Sequence, residues 1–409
     1  MHRTLAFALG SLLVLTSCGG GGYSSGGITN PPPPPTGANV TTLTVDAGPA
    51  QSINIPFITI TVCAPNTTNC QTISGIEVDT GSYGLRIMAS VLNASLLSAL
   101  PQQMFAGTTS PVVECAQFAD GYSWGPVMSA DITISSEKAS GIPIQVIGDP
   151  SFSQVPSDCS SVGGQEDSVS SFGANGLLGV GVFQQDCGNA CASSVIAGTY
   201  YQCPTNGGGC SGIIQPTNLQ VSNPVASFAA DNNGVIVDLP SVAAGGAATA
   251  TGSLIFGIGT QSNNGLGSAT ILATDPGAGT INVTFAGTQY PLSALDSGSN
   301  AYFFADSSLT PCGASTAPGF YCTPASVSTT ITTLSNTQLA ATFDVGDASS
   351  MLQANPMATA FPELAGPIPA TSTSTQTFDF GLPYFYGRKV YVAIENTTAA
   401  GTAGPYLAY

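Results

Sequence analysis

Two short segments carry residues whose types and spacing can do chemistry: Val78-Asp79-Thr80-Gly81-Ser82 and Leu295-Asp296-Ser297-Gly298-Ser299. Each is an Asp-(Ser/Thr)-Gly-Ser turn entered from an apolar, strand-like run, Ser74 to Val78 in one case and Pro291 to Leu295 in the other. One such tetrapeptide is ordinary turn chemistry, in which Asp accepts backbone N–H bonds and Gly takes positive φ. Two of them, in separate halves of the chain and both after an apolar run, point to a pair. Two carboxyls brought within about 3 Å cannot both ionise, so one keeps its proton. The ionised partner then takes a proton from water, while the protonated one polarises a carbonyl and stabilises the oxyanion that forms. Thr80 and Ser297 have hydroxyls able to bond across to the opposite turn. Ser82 and Ser299 can donate to the outer carboxylate oxygens, and Gly81 and Gly298 let backbone N–H groups approach closely. The expected chemistry is hydrolysis by an activated water, with Asp79 and Asp296 as the acid/base pair.

The composition removes the main competitors. The single histidine is His2, so a Ser-His-Asp triad, a Cys-His pair and a His-ligated zinc site are all excluded once the leader is removed. Lys138 and Lys389 stand in no motif that would make a Ser-Lys dyad. Gly257-Ile258-Gly259 lacks the strand–helix context of a dinucleotide loop, and Asp231-Asn232-Asn233-Gly234 reads as a hairpin turn rather than a calcium loop. No metal and no cofactor is expected. Five Lys or Arg against 22 Asp or Glu leave no basic footprint for nucleic acid.

The first residues bear on location. Met1-His2-Arg3 is a short basic start, and Leu5 to Leu15 is an apolar run too short for a permanent membrane anchor. Leu15-Thr16-Ser17-Cys18 resembles the bacterial lipobox, which implies a signal over residues 1–17 and acylation of Cys18. Residues 18–40 then form a Gly- and Pro-rich linker, with Pro31 to Pro35 as its stiff part. The expected location is the bacterial cell envelope, on a periplasmic or cell-surface face, with the membrane as a partner through Cys18. The ten remaining cysteines favour disulfides in an exported chain. Cys63 and Cys70 flank a turn, Cys312 and Cys322 flank a Gly/Pro loop, and Cys187, Cys191, Cys203 and Cys210 are expected to pair among themselves. That leaves Cys115 with Cys159. A four-Cys zinc site is the rival for the cluster of four.

Strand signals dominate. Val/Ile/Thr/Phe runs alternate with Gly, Pro, Asn and Ser clusters at Ser52 to Val62, Val127 to Ile134, Gly141 to Ile147, Gly234 to Leu239, Gly252 to Gly257, Thr280 to Phe285 and Val390 to Ile394. Met88 to Leu100 is the best helical candidate, with Phe361 to Leu364 a turn. The chain is therefore expected to be mainly β. A loose repeat is visible: each half has β-runs, one Asp turn and a later apolar segment ending in Gly. Those segments are Gly176-Leu177-Leu178-Gly179 and Phe378-Asp379-Phe380-Gly381. A boundary near Ala229 to Asn233 divides the chain into an N-terminal lobe, 41–230, and a C-terminal lobe, 231–409. The two turns would then face each other across a central cleft.

At this point the chain resembles the pepsin-like aspartic peptidases. Val78 to Leu85 looks like that family's first active-site loop and Leu295 to Ser299 like its second. Asn175 to Gly179 looks like the segment that threads beneath the first loop. Gly252 to Gly257 and Gly381 with Tyr384 to Ile394 resemble the opening and closing strands of the second lobe. The resemblance implies a bilobal pepsin-like fold with an active-site cleft between two related lobes. It implies an aspartic endopeptidase, a peptide or protein substrate, and Asp79 with Asp296 as catalytic pair. The chain also departs from the pattern. The flap hairpin of these peptidases carries a tyrosine, whereas the matching stretch here is Phe118-Ala119-Asp120-Gly121, with Tyr122 and Trp124 just after. Tyr122 or Trp124 is expected either to take over the substrate contact or to pack. Arg86 stands where the family usually has a tryptophan and reads as a surface residue. The overall pattern also resembles an uncharacterised group of bacterial lipoproteins that share both Asp motifs. The alternative is a catalytically inactive surface lipoprotein of the same fold that binds a peptide or glycan. A monomer is expected in either case.

Overall fold

The computed structural model describes residues 36–204, 209–368 and 376–409. The expected signal, Cys18 and the linker up to residue 35 lie outside the described residues. The protein is mainly β, as its sequence pattern predicts, with short helices only. The strand runs read from the sequence are present within a few residues: Pro56–Cys63, Gly121–Ile134, Glu137–Ile147, Gly234–Asp238, Ala250–Phe256, Ile281–Phe285 and Lys389–Ala393. The expected helix over Met88 to Leu100 shrinks to Ala94–Ala99, preceded by a 3-10 turn at Ala89–Val91. The cause is Asn93, whose side chain accepts the Leu96 N–H at 2.8 Å and so caps a new start inside the expected helix.

Two sheets matter for the site. One has 16 strands and begins its second half where Val40–Val45 pairs antiparallel with Ala250–Phe256. The other has seven strands and lies wholly in the second half of the chain. Each contains the same three-strand device. In the first half, Cys70–Asp79 runs parallel to Gly176–Val180, with Asp79 opposite Gly179. Gly176–Val180 pairs on its other side, antiparallel, with Tyr83–Met88, the strand that leaves the first Asp turn. In the second half, Thr288–Leu295 runs parallel to Asp379–Phe380, with Leu295 opposite Phe380. Asp379–Phe380 pairs antiparallel with Tyr302–Phe303, which leaves the second Asp turn. The two apolar Gly-ending segments of the repeat are therefore the central strands under the two Asp turns. A central strand buries both faces, which is why Gly176–Val180 is buried at every residue and has no polar side chain.

The cores beneath the two turns differ in character. Val78, Leu85, Leu178 and Val180 fill the first with aliphatic side chains. The second is aromatic: Phe304 stacks on Phe378 at 4.8 Å and Tyr302 on Phe343 at 3.9 Å between centroids. Ring pairs of this kind contribute about 0.5–1.5 kcal/mol beyond their area burial.

Five disulfides lie among the described residues. Cys63–Cys70, Cys115–Cys159 and Cys312–Cys322 pair as expected, and the cluster of four resolves into Cys187–Cys191 and Cys203–Cys210. Disulfides persist in oxidising compartments, which puts the folded domain outside the cytoplasm. No helix among the described residues is long and apolar enough to cross a membrane.

Candidate active site

The two Asp turns meet. Thr80 donates its hydroxyl to the Leu295 carbonyl at 2.8 Å, and Ser297 donates its hydroxyl to the Val78 carbonyl at 2.6 Å. The backbone completes the exchange: Thr80 N–H donates to Ser297 Oγ at 3.1 Å and Ser297 N–H to Thr80 Oγ1 at 2.9 Å. These four bonds are related by a local two-fold axis between residues about 217 positions apart in the chain. Both hydroxyls are buried, so each bond is made in a low-dielectric setting where its loss is expensive.

The same symmetry holds the carboxyls. Gly81 N–H donates to Asp79 Oδ1 at 2.7 Å, and Gly298 N–H donates to Asp296 Oδ1 at 2.8 Å. Each glycine also faces the opposite carboxyl. A Cβ on Gly81 would stand 2.6 Å from the Asp296 carboxyl carbon, and one on Gly298 would stand 2.7 Å from Asp79 Oδ1. The glycines are therefore set by the second carboxyl as much as by their own turns. Gly81→Ala and Gly298→Ala are expected to push the carboxyls apart and to cost about 100-fold in kcat/KM, as a misplacement near 1 Å does elsewhere. Steady-state kinetics on the two variants, with thermal unfolding as a check on the fold, decides this.

Asp296 and Asp79 are joined by a hydrogen bond between their carboxyls. Burial first, and then the charge and hydrogen bond of Asp79, hold the Asp296 carboxyl well above the usual carboxylate range; Gly298 and Ser299 oppose the rise. The pair is therefore set to keep one proton between its two carboxyls. Ser299 donates to Asp296 Oδ2 at 3.0 Å, as expected. Ser82 differs. Its hydroxyl is buried and finds no partner among the described residues, so the outer oxygen of Asp79 is left without the expected side-chain donor.

The hairpin that corresponds to the flap is formed by Val112–Gln117 and Gly121–Ile134, closed by the Phe118 N–H to the Gly121 carbonyl at 2.8 Å. Phe118 packs edge-on against Phe172 at 5.9 Å. Tyr122 and Trp124, expected either to take over the substrate contact or to pack, are packed. Both are buried in a small cluster with Tyr201 and the Cys115–Cys159 disulfide. Trp124 spends its indole N–H on the Phe152 carbonyl at 2.7 Å, and the Tyr122 hydroxyl reaches Gln165 at 3.4 Å. Their role here is packing, because strand alternation turns both onto the disulfide side of the hairpin. Gly121 lies against Gly164 and the Glu166 carboxyl, where a side chain would not fit.

Three features escaped the sequence reading. Glu77 stands two residues before Asp79 on the same strand, hence on the same face, and is only 6% exposed. Burial, followed by the charges of Asp79, Asp296, Asp120 and Glu166, holds its carboxyl well above the ordinary range. Asp379, on the central strand beneath the second turn, has one oxygen buried without a partner among the described residues. Burial and Asp296 raise it well above the ordinary range too, against a bond from Ser299. Arg86, expected at the surface, is buried. It donates to Glu114 at 2.5 Å, to Asp186 at 3.2 Å and to the Tyr83 carbonyl at 2.7 Å. The signal for Glu77 was present in the sequence as its i−2 spacing from Asp79.

The family described as "Protein of unknown function (DUF3443)" matches residues 35–409. A search of the curated proteins found no match. Among solved structures, the chain is similar to an aspartic proteinase from Irpex lacteus, with 14% identity and a TM-score of 0.48, over 90% of this chain and 96% of that one.

Proposed function

We propose that this chain, which belongs to the DUF3443 family of proteins of unknown function, is an aspartic endopeptidase in which Asp79 and Asp296 activate water for attack on a peptide bond. The observation that carries the proposal is the reciprocal exchange between the turns. Thr80 and Ser297 lock two carboxyls into contact, and the environment leaves one of them protonated. A single Asp turn would need none of this. Asp79 serves as the base and takes a proton from the attacking water. Asp296 gives its proton to the substrate carbonyl oxygen as the tetrahedral intermediate forms. Gly81 and Gly298 fix the inner oxygens, and Ser299 holds the outer oxygen of Asp296. The hairpin tip at Phe118 to Gly121 covers the substrate, with Phe118 contributing apolar surface where a hydroxyl is absent. Lobes over 41–230 and 231–409 each supply one carboxyl. The signal over 1–17 exports the chain, and lipidated Cys18 with the linker to residue 40 tethers a monomer to the envelope membrane.

The dyad works with one proton, which sets the pH dependence. As pH rises through the raised value of the pair, the proton on Asp296 is lost and activity falls. As pH falls, the pair gains its second proton and the base disappears. A bell-shaped profile of kcat/KM with its maximum on the acid side of neutrality is expected, and its limbs belong to the pair rather than to either residue. The test is cleavage of a mixed peptide library by the purified protein from acid to alkaline pH. Activity that is flat or rising above neutral pH would sink the dyad mechanism.

A further inference from the structure

The carboxyls of this site have no positive charge to answer them among the described residues. Arg3 lies outside the described residues, and the other four Lys and Arg are engaged elsewhere. Arg86 is held by Glu114 and Asp186. Lys138 pairs with Asp131 at 3.1 Å, and Lys389 pairs with Asp238 at 3.3 Å. Arg388 lies over the Tyr384 ring at 4.2 Å and donates to the Tyr384 carbonyl. Against this, Glu77 points to the same face as Asp79, is more than nine-tenths buried and accepts no hydrogen bond among the described residues. The hairpin over it is acidic as well. Asp120 is exposed at the tip, its carbonyl against Gly163, and Glu166 packs its carboxyl against Gly121.

A buried carboxyl without a partner costs free energy unless something outside the chain satisfies it. Here Glu77, 6% exposed, lies beside the reacting carboxyls, on the face a substrate side chain must pass. The described carboxyls do not converge as a group able to hold a metal ion. The ligand that fits is therefore a cation carried on a stem long enough to reach past the hairpin tip. A Lys or Arg side chain has this form, with an apolar stem and a charged head.

We propose that Glu77, with Glu166 and Asp120 on the hairpin side, forms an acidic subsite that selects peptides with Lys or Arg close to the scissile bond. The proposal rests on the peptidase reading above and names its substrate class. A cation at Glu77 replaces the proton that the carboxyl otherwise keeps. Burial and Asp120 push Glu166 up to about 7, so near neutral pH this second carboxyl is partly ionised and joins the first. Glu77 acts on binding and selection; the bond-making steps stay with Asp79 and Asp296.

The test compares matched peptides with Lys or norleucine at each position flanking the cleaved bond, because norleucine keeps the stem and removes the charge. At one position the full-length protein is expected to prefer Lys by at least about tenfold in kcat/KM, the order of effect a desolvated charge pair gives. Glu77→Gln is expected to bring that ratio close to one, and Glu166→Gln to lower it part-way, with folding checked by thermal unfolding. Cleavage with no Lys preference at any position, or a preference unchanged in Glu77→Gln, overturns the acidic subsite and leaves the peptidase standing. No cleavage of any peptide by the unaltered protein overturns both.

Discussion

Asp296→Asn is expected to lower kcat for peptide cleavage by about 10⁴-fold, as removal of an essential proton donor does. Asp79→Asn is expected to do the same through loss of the base. The double variant should be no worse than either single one, because the two carboxyls act as a unit. Asp296→Asn has a second consequence that a dead but misfolded protein would not show. The folded state holds the Asp296 proton well above the pH at which an unfolded Asp, with a pKa near 3.9, releases it. Stability associated with this group is therefore fully present below the unfolded value and is lost as pH rises through the folded one. Asn does not ionise, so it escapes that loss. The variant is expected to unfold at a higher temperature than the unaltered protein near neutral pH, with the gap closing in acid. Activity would be read as single-turnover cleavage and stability as thermal unfolding across the same pH range. Residual cleavage within tenfold of the unaltered protein would remove Asp296 from the mechanism.

The chemistry at the centre was legible because it is local. Asp, hydroxyl residue, Gly and Ser sit within one turn, and each turn declares itself in a few letters. The exchange of Thr80 and Ser297 across the two turns follows from the same letters once the turns face each other. The first central strand was legible for a related reason: a strand buried on both faces has to be written in apolar residues and Gly, as Gly176–Val180 is. What was hidden depends on partners far away in sequence. Ser82 and Ser299 occupy matching places, yet only Ser299 finds its carboxylate. Tyr122 and Trp124 read equally well as contact or packing residues until the Cys115–Cys159 bridge and Tyr201 claim their side of the hairpin. Glu77 looks like the polar half of an alternating strand, and such residues usually face water. Its face is instead covered by a hairpin more than 40 residues later, an arrangement no local pattern records.

Arg86 is the clearest case of a charge misjudged from sequence, and it carries the largest stability effect. A lone Arg on a strand is most often solvated, but here both of its carboxylate partners arrive from other elements. Glu114 lies on the hairpin and is fully buried, and Asp186 follows the central strand of the first half. Gln145 ties the Glu114 carbonyl at 2.9 Å, and Tyr200 donates its hydroxyl to Asp186 Oδ1 at 2.7 Å. Burial and the neighbouring Glu114 hold the Asp186 carboxyl well above its ordinary range, while the Arg86 cation and the Tyr200 hydroxyl oppose the rise. Arg86→Met fills a similar volume and removes the cation. The cost expected is about 3–5 kcal/mol, because a carboxylate is then left buried and uncompensated. Restoring neutrality by adding Glu114→Gln should recover most of that loss, whereas Glu114→Gln alone should be destabilising. Urea denaturation of the two single variants and the double variant closes the cycle. An additive double variant would mean that the two residues do not act on each other. Arg86 also donates to the Tyr83 carbonyl, directly after the first Asp turn, so the cation that steadies the hairpin against the strand also fixes the exit of the catalytic loop. The first Asp turn should accordingly lose its order before the second when Arg86 is replaced. Hydrogen exchange at Gly81 and Gly84, faster in Arg86→Met while Gly298 stays protected, is the measurement that would register it.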